Sequence, residues 1–211
     1  MGPRRRGKPV HGWLVINKPV GITSARVGNK VQNILNAAKV GHSGTLDPMA
    51  TGVLPLAFGE ATKTVAYVMN GLKEYQFTVC WGESRDTDDA DGIVTATSKK
   101  RPTENEISAV LGQFIGEIEQ VPPTYSAIKV KGRRAYDLAR SNQRVQLDAR
   151  TISIKKFEIL EIPDQDHAVF RAISGKGAYM RALGRDIALA LHTRGYISQL
   201  RRTRLGPFGE E

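Results

Sequence analysis

Between Glu74 and Trp81 (EYQFTVCW) apolar and polar residues alternate without interruption, and a period of two requires an extended strand with one buried face. Tyr75, Phe77, Val79 and Trp81 share one face, and Gln76, Thr78 and Cys80 share the other. Cys80 is the sole cysteine, so no intrachain disulfide forms; inside this strand it reads as a small buried hydrophobe. Trp13–Asn17 is a second, brief strand, ended by the turn-forming Lys18-Pro19-Val20-Gly21. Ile93–Thr97 reads as a partner strand for Glu74–Trp81, and Thr151–Ile162 and His167–Ser174 as two more, joined by the acidic turn Pro163–Asp166.

Helices are marked by their caps and their period. Ser24 is placed to cap a helix carrying Val27, Val31, Ile34, Leu35 and Ala38 at helical spacing. Thr103 and Glu106 make a capping box before an apolar face of Ile107, Val110, Leu111 and Phe114. Tyr179–Leu191 is the third helix, with Met180, Leu183, Ile187 and Leu191 on one face. Strands and helices follow no regular βαβ order, so the expected class is α+β with a largely antiparallel sheet. At 211 residues, without internal repeats, the chain is expected to form a single domain over 1–211.

Thirty-one Lys and Arg outnumber 21 Asp and Glu, a net charge of +10 that favours a polyanionic partner, nucleic acid ahead of an anionic membrane surface. The cations concentrate in a basic arm at residues 1–10 and in Gln120–Arg150. The latter holds Lys129, Lys131, Arg133, Arg134, Arg140, Arg144 and Arg150, with Tyr125 and Tyr136 interleaved. It reads as an RNA-contacting insertion or as a solvated basic loop. The arm is expected to order only on meeting phosphate. No apolar segment follows it, and no apolar run reaches the length of a membrane span, so a cytoplasmic protein is expected. The four histidines are scattered, none at metal-ligand spacing.

Several chemistries are excluded by their own motifs. Gly175-Lys176-Gly177 begins like a dinucleotide fingerprint, but Met180 stands where its third glycine belongs. The run Asp86–Gly92 departs from a calcium loop, with Ala90 at its fifth position and Asp91 where glycine is needed. It reads as a solvated turn unless one of its acids meets an arginine. No Gly-x-Ser-x-Gly elbow is present. The unusual window is Gly41–Leu54 (GHSGTLDPMATGVL), a loop leading into a short element. Pro48 biases Asp47 toward extended backbone, and Gly41, Gly44 and Gly52 permit tight turns and close backbone approach. Such a loop suits holding one carboxylate beside a bulky ligand, although an Asp before Pro is ordinarily a turn or cap residue.

The whole window resembles the catalytic motif of the TruB-type tRNA pseudouridine synthases. Four further segments agree in order and spacing: Lys18–Ser24 (KPVGITS), Lys73-Glu74-Tyr75, Pro122–Lys131 (PPTYSAIKVK) and Gly175–Arg181 (GKGAYMR). The resemblance extends from about Gly12 to Phe208. It implies that family's α+β fold, with a mostly antiparallel mixed sheet, flanking helices and an RNA-binding insertion at about 120–150.

The same resemblance implies that Asp47 is the catalytic carboxylate and that Arg181 pairs with it and favours its ionised form. Tyr75 would stack on the target base and could remove its C5 proton. His42, Tyr179 and Leu200 would line the pocket of a flipped nucleotide, while Lys18 and Pro19 buttress the loop. Asp89 is a further candidate, because the acidic turn could bring an acid to Arg181. Lys129, Lys131, Arg133 and Arg134 would contact RNA. Pseudouridine forms when the N1–C1′ bond breaks, uracil turns, and C5 bonds to C1′. Nothing is imported or oxidised, so neither metal nor cofactor is implied. A carboxylate beside the ribose must attack carbon or take the C2′ proton, and an aromatic face must replace stacking lost on flipping.

The implied substrate is the T-arm of tRNA, modified at the T-loop uridine (position 55) by a monomer needing neither an obligatory protein partner nor a membrane. Alternatives are a tRNA-folding chaperone with secondary isomerase activity, a related synthase of different uridine specificity, and an RNA-guided catalytic subunit. Two departures stand out. Glu74 occupies a place where some relatives carry a cation, and the sequence ends at Glu211, where many family members continue into a small C-terminal RNA-binding domain. The chain is naturally short or truncated, and the expected lack of that domain argues against the RNA-guided reading.

Overall fold

Thr23, not Ser24, caps the first helix: its hydroxyl accepts from the Arg26 amide, leaving Ser24 buried and available for a longer-range role. The structure is a computed structural model that describes residues 7–130, 132–141 and 146–210. Most of the predicted basic arm, Lys131 and Arg144 lie outside the described residues, as do the side chains of Lys129, Arg134 and Arg140.

In chain order the elements are β1 (Gly12–Lys18), α1 (Ser24–Ile34), β2 (Val40–His42), β3 (Thr51–Phe58), α2 (Val65–Asn70) and β4 (Lys73–Trp81). There follow β5 (Glu83–Arg85), β6 (Val94–Thr97), α3 (Glu104–Leu111), β7 (Gly116–Gln120), β8 (Lys129–Val130), β9 (Arg133–Arg134) and α4 (Ala135–Arg140). The last are β10 (Arg150–Asp164), β11 (His167–Ser174), α5 (Met180–Ala190), β12 (Gly195–Leu205) and β13 (Phe208–Gly209). The class is α+β. The chain divides into two compact units, one of Met1–Tyr75 with Arg201–Glu211, the other of Gln76–Leu200. No described helix is long and apolar enough to cross a membrane.

In the first unit β3 is the central strand. β1 lies antiparallel along one side of it, from Gly12 opposite Phe58 to Lys18 opposite Gly52. On its other side β2 pairs with Leu56–Phe58, and β12 runs parallel at Thr51 and Gly52. Strand β3 is longer than the short element expected, and from Gly52 to Phe58 every residue is buried. Gly52 sits at φ +99°, and a Cβ there would come within 2.2 Å of the Arg202 carbonyl oxygen, so only glycine lets β12 approach. Helix α1 shows its predicted period but is covered only over its first turns. It buries Ser24, Val27 and Gly28 and packs on β2, whereas Ile34 is 72% exposed and Leu35 is exposed too. The periodicity is real, but the apolar side chains of its last turn are left exposed.

In the second unit the strand order is β12-β4-β11-β10-β7, with β10 antiparallel to both of its neighbours. The alternation of Glu74–Trp81 is observed as read, with Phe77, Val79 and Trp81 among the core. Phe77, Phe157 and Phe170 stack at centroid separations of 5.3–6.0 Å. Each such buried ring contributes about 1.5–3 kcal/mol from area alone. The capping box of Thr103 and Glu106 forms as predicted, and Ile107 is fully buried. Three readings need correction. Strand β6 pairs with β5 in a separate two-stranded sheet rather than with β4, because Val94–Thr97 lacks an inward apolar row. Cys80 falls on the outer face of β4 and is only half-buried. The long strand β12 was not anticipated, because its inward positions include Gly195 and Arg202 as well as apolar residues.

Candidate active site

Asp47 is half-buried in the loop between β2 and β3, and the chain is pinned on both sides of it. Before it, the buried Ser24 hydroxyl accepts from the Leu46 amide (2.8 Å) and donates to the Leu46 carbonyl (3.0 Å). After it, the Pro48 carbonyl accepts from the Gly21 amide (2.8 Å) and from Lys18 Nζ (3.2 Å). The Asp47 carbonyl in turn accepts from Ala50 (3.1 Å). The Lys18–Ser24 segment therefore works as a bracket whose two ends grip the residues flanking one carboxylate. Sequence reasoning took Ser24 for a cap; the segment's match to a conserved entry motif was the only signal of its larger role.

Lys18 is fully buried, and its ammonium also donates to the carbonyls of Pro19 (2.9 Å) and Ile22 (2.7 Å). Three carbonyls satisfy all three donors. Burial lowers the Lys18 pKa, and the charge of Asp47 partly restores it. That places Lys18 behind the loop, holding it, and within electrostatic reach of Asp47.

Tyr75, the last residue of the first unit before the chain enters the second, is 9% exposed. Its phenol lies within electrostatic reach of Arg202. Burial pushes the phenol above its ordinary pKa; the nearby Arg202 opposes, and the charge of Asp47 adds to the rise. A phenol held neutral is a flat stacking surface and a hydrogen-bonding group, and a poor proton acceptor at neutral pH. Arg202 is 1% exposed, although Arg201-Arg202 read as a phosphate-contacting or solvated pair. The β12 pleat explains the difference by turning Arg202 inward. Half-buried His42 ends β2. Burial first, then Arg202, lower its pKa, so the imidazole is neutral near pH 7, and its buried Nδ1 has no hydrogen-bond partner among the described residues.

In the second unit a different set assembles. Arg181, in the first turn of α5 and 4% exposed, donates to the carbonyls of Thr87 (2.8 Å) and Tyr125 (2.9 Å) and lies 3.4 Å from Asp89 Oδ2. Asp89 also accepts from the Thr87 hydroxyl (2.6 Å) and the Asp91 amide (3.1 Å), yet burial still raises its pKa. One turn further along α5, Arg185 meets Asp88 at 2.9 Å. The acidic run is thus two buried ion pairs rather than a solvated turn. Tyr179 is the N-cap residue of α5, its amide donating to Gln120 Oε1 (2.9 Å) and its carbonyl accepting from Gln120 Nε2 (3.2 Å). Leu200 is buried on β12. Among the expected RNA-contacting residues, Arg133 is exposed on β9, which pairs with β8 at Lys129 and Arg134.

Residues 32–180 match a family described as TruB family pseudouridylate synthase (N terminal domain). The chain is 60% identical, over all of its 211 residues, to tRNA pseudouridine synthase B of Rhodospirillum rubrum, covering 68% of that protein. It is 56% identical over 207 residues, 98% of the chain, to tRNA pseudouridine synthase B of Bradyrhizobium diazoefficiens, of which it spans 60%. Among solved structures it is similar to a chain of a Cbf5-Nop10-Gar1 complex, at 34% identity and a TM-score of 0.75, covering 95% of this chain and 50% of that one.

Proposed function

The chain belongs to the TruB family of pseudouridylate synthases, and on that premise we propose that it isomerises the T-loop uridine at tRNA position 55 to pseudouridine. The observation that carries the proposal is the double pinning of Asp47 through Leu46 and Pro48. A carboxylate whose backbone is fixed on both sides, with Tyr75 close enough to feel its charge, is preorganised to act on one carbon or one C2′ proton. In the proposed mechanism the flipped uracil stacks on the Tyr75 ring while the N1–C1′ bond breaks, and C5 then bonds to C1′. The C5 proton leaves last, and Tyr75 can take it only while its phenolate is stabilised. A role for Arg181 in pairing with Asp47, and for His42, Tyr179 and Leu200 in lining the nucleotide pocket, is proposed from the family resemblance. Lys18 is assigned to holding the loop.

The substrate partner is proposed to be the T-arm of tRNA, engaged partly by the basic segment at 120–150, with the chain acting in the cytoplasm as a monomer. Incubating unmodified tRNA with the purified chain and mapping pseudouridine should reveal a single new site in the T loop, and an isolated T-stem-loop should suffice as substrate. A folded protein that binds tRNA but leaves every uridine unchanged would overturn the reading. Neutralising Lys129, Lys131 and Arg133 together should weaken binding and flatten its dependence on salt.

A further inference from the structure

One buried guanidinium joins two parts of the first unit that the proposed reaction must keep in register, and lies beside a third. Arg202 Nε donates to the Val53 carbonyl (2.9 Å) and Nη2 to the Gly44 carbonyl (2.9 Å), on either side of Asp47 in the Gly41–Leu54 window. The Tyr75 phenol lies close enough to the same guanidinium to feel its charge. No carboxylate lies within ion-pair distance of it among the described residues; its neighbours are two carbonyls, a phenol and a neutral histidine. The fit is close. A Cβ on Gly44, which sits at φ +67°, would stand 3.0 Å from Arg202 Nη1, and Gly52 is compressed against the Arg202 backbone.

We propose that Arg202 is a positioning residue for the isomerisation, holding both ends of the Asp47 loop at fixed separation through one planar donor fork, with its charge beside the Tyr75 ring. The inference rests on the proposed activity but concerns a residue that no part of that proposal uses. Two consequences follow from the geometry. A planar fork binds partners in several directions at set angles, which a lysine ammonium on a flexible stem does not reproduce. A buried cation with no carboxylate beside it also polarises what it touches, and here that is the Tyr75 phenol.

The test compares wild type with Arg202→Lys, Arg202→Met and Tyr75→Phe, each checked for folding by thermal melting. Arg202→Lys retains a cation should the neutral variant unfold. In single turnover with enzyme in excess over tRNA, Arg202→Lys should be slowed on the order of 10- to 100-fold, the scale of a small misplacement, with tRNA affinity within about threefold. In a Tyr75→Phe background the same substitution should cost markedly less, because the phenol on which its charge acts is already gone. With 13C-labelled tyrosine, the Tyr75 ring signal should shift in Arg202→Lys and its titration should move to higher pH in Arg202→Met.

A wild-type rate in Arg202→Lys would overturn the inference. So would an equal loss in both backgrounds, or a Tyr75 signal unchanged in a folded variant. Failure of the wild-type chain to form pseudouridine would instead reject the proposed function, so the two failures are distinguishable.

Discussion

The two units bury their cations in opposite ways. In the first, Lys18 and Arg202 are almost wholly inaccessible, and their hydrogen-bond partners are backbone carbonyls. In the second, Arg181 and Arg185 each meet a carboxylate, Asp89 at 3.4 Å and Asp88 at 2.9 Å, alongside their carbonyl partners. A charge compensated at contact distance acts more weakly on groups further off. A charge satisfied only by dipoles acts further in a low-dielectric interior, which is why Lys18 and Asp47 feel one another and why Arg202 perturbs both Tyr75 and His42. The cations of the first unit act on one anion and one ring; in the second, Arg181 and Arg185 act first on the acids of the turn they hold.

Removing the anion on which those cations act should have the largest effect. Asp47→Asn keeps the shape of the side chain and the pinned backbone while deleting the charge. Pseudouridine formation should become undetectable in single turnover, a loss of several kcal/mol of transition-state stabilisation. Binding to tRNA should stay within a few-fold, because it draws on the basic surface and on stacking. Substantial turnover by the variant would remove Asp47 as the reacting group. Joint loss of binding and turnover would make the loop a structural element instead.

Stability should separate the two kinds of cation next. Arg181→Met leaves Asp89 buried beside no guanidinium and should cost about 3–5 kcal/mol in urea unfolding, the range for breaking a buried pair from one side. Adding Asp89→Asn should recover part of that loss, since the stranded charge goes with it. Lys18→Met strands carbonyls rather than a charge, so a smaller cost of about 1–3 kcal/mol is expected. No single carboxylate change should rescue it. Equal costs for Arg181→Met and Lys18→Met, both unrescued, would erase the distinction between the units.

How much of this was legible beforehand depended on whether the signal was local. Strand β4, the Thr103 capping box and the β10–β11 pair were read correctly, because alternation and caps are written in consecutive residues. The inward turn of Arg202 was not, because a charged residue at an inner strand position reads as an error of phase until its carbonyl partners, some 150 residues earlier, are seen. Ser24 failed for the same reason: next to Thr23 it looks like a cap, and only the fold brings Leu46 to it. Gly52 was flagged as a place of close approach, but the strand that approaches was unpredicted. Among the candidate residues, Asp47, Tyr75 and Arg181 came from five ordered motifs; taken singly, each had an ordinary structural reading.

The smallest expected effect concerns pH and the second unit alone. Asp88 is 9% exposed, and its pKa is raised from 3.8 to about 6. Burial is the main cause; Arg185 and Arg181 pull it down and Asp186 pushes it further up. Those same carboxylates raise the Arg185 pKa, so the pair attracts, but at Asp88 desolvation outweighs the attraction. Between about pH 4 and pH 6 the folded chain therefore keeps a proton that the unfolded chain has released. By linkage, the stability from this group is fully present below about pH 4 and is lost as the pH rises through 6. Asp89 and Asp186, also raised by burial, act with the same sign. Asp88→Asn fixes the side chain in a neutral form that still accepts from Arg185, so the variant's stability should fall less over that interval. The measurement is the melting temperature of both proteins at pH 4.5 and pH 7, with the wild-type-minus-variant difference expected to change by roughly 2–4 °C for each kcal/mol involved. Parallel curves for the two proteins would show that Arg185 compensates Asp88 completely, and would make the second unit's ion pairs electrostatically closed rather than only more closed than the first unit's cations.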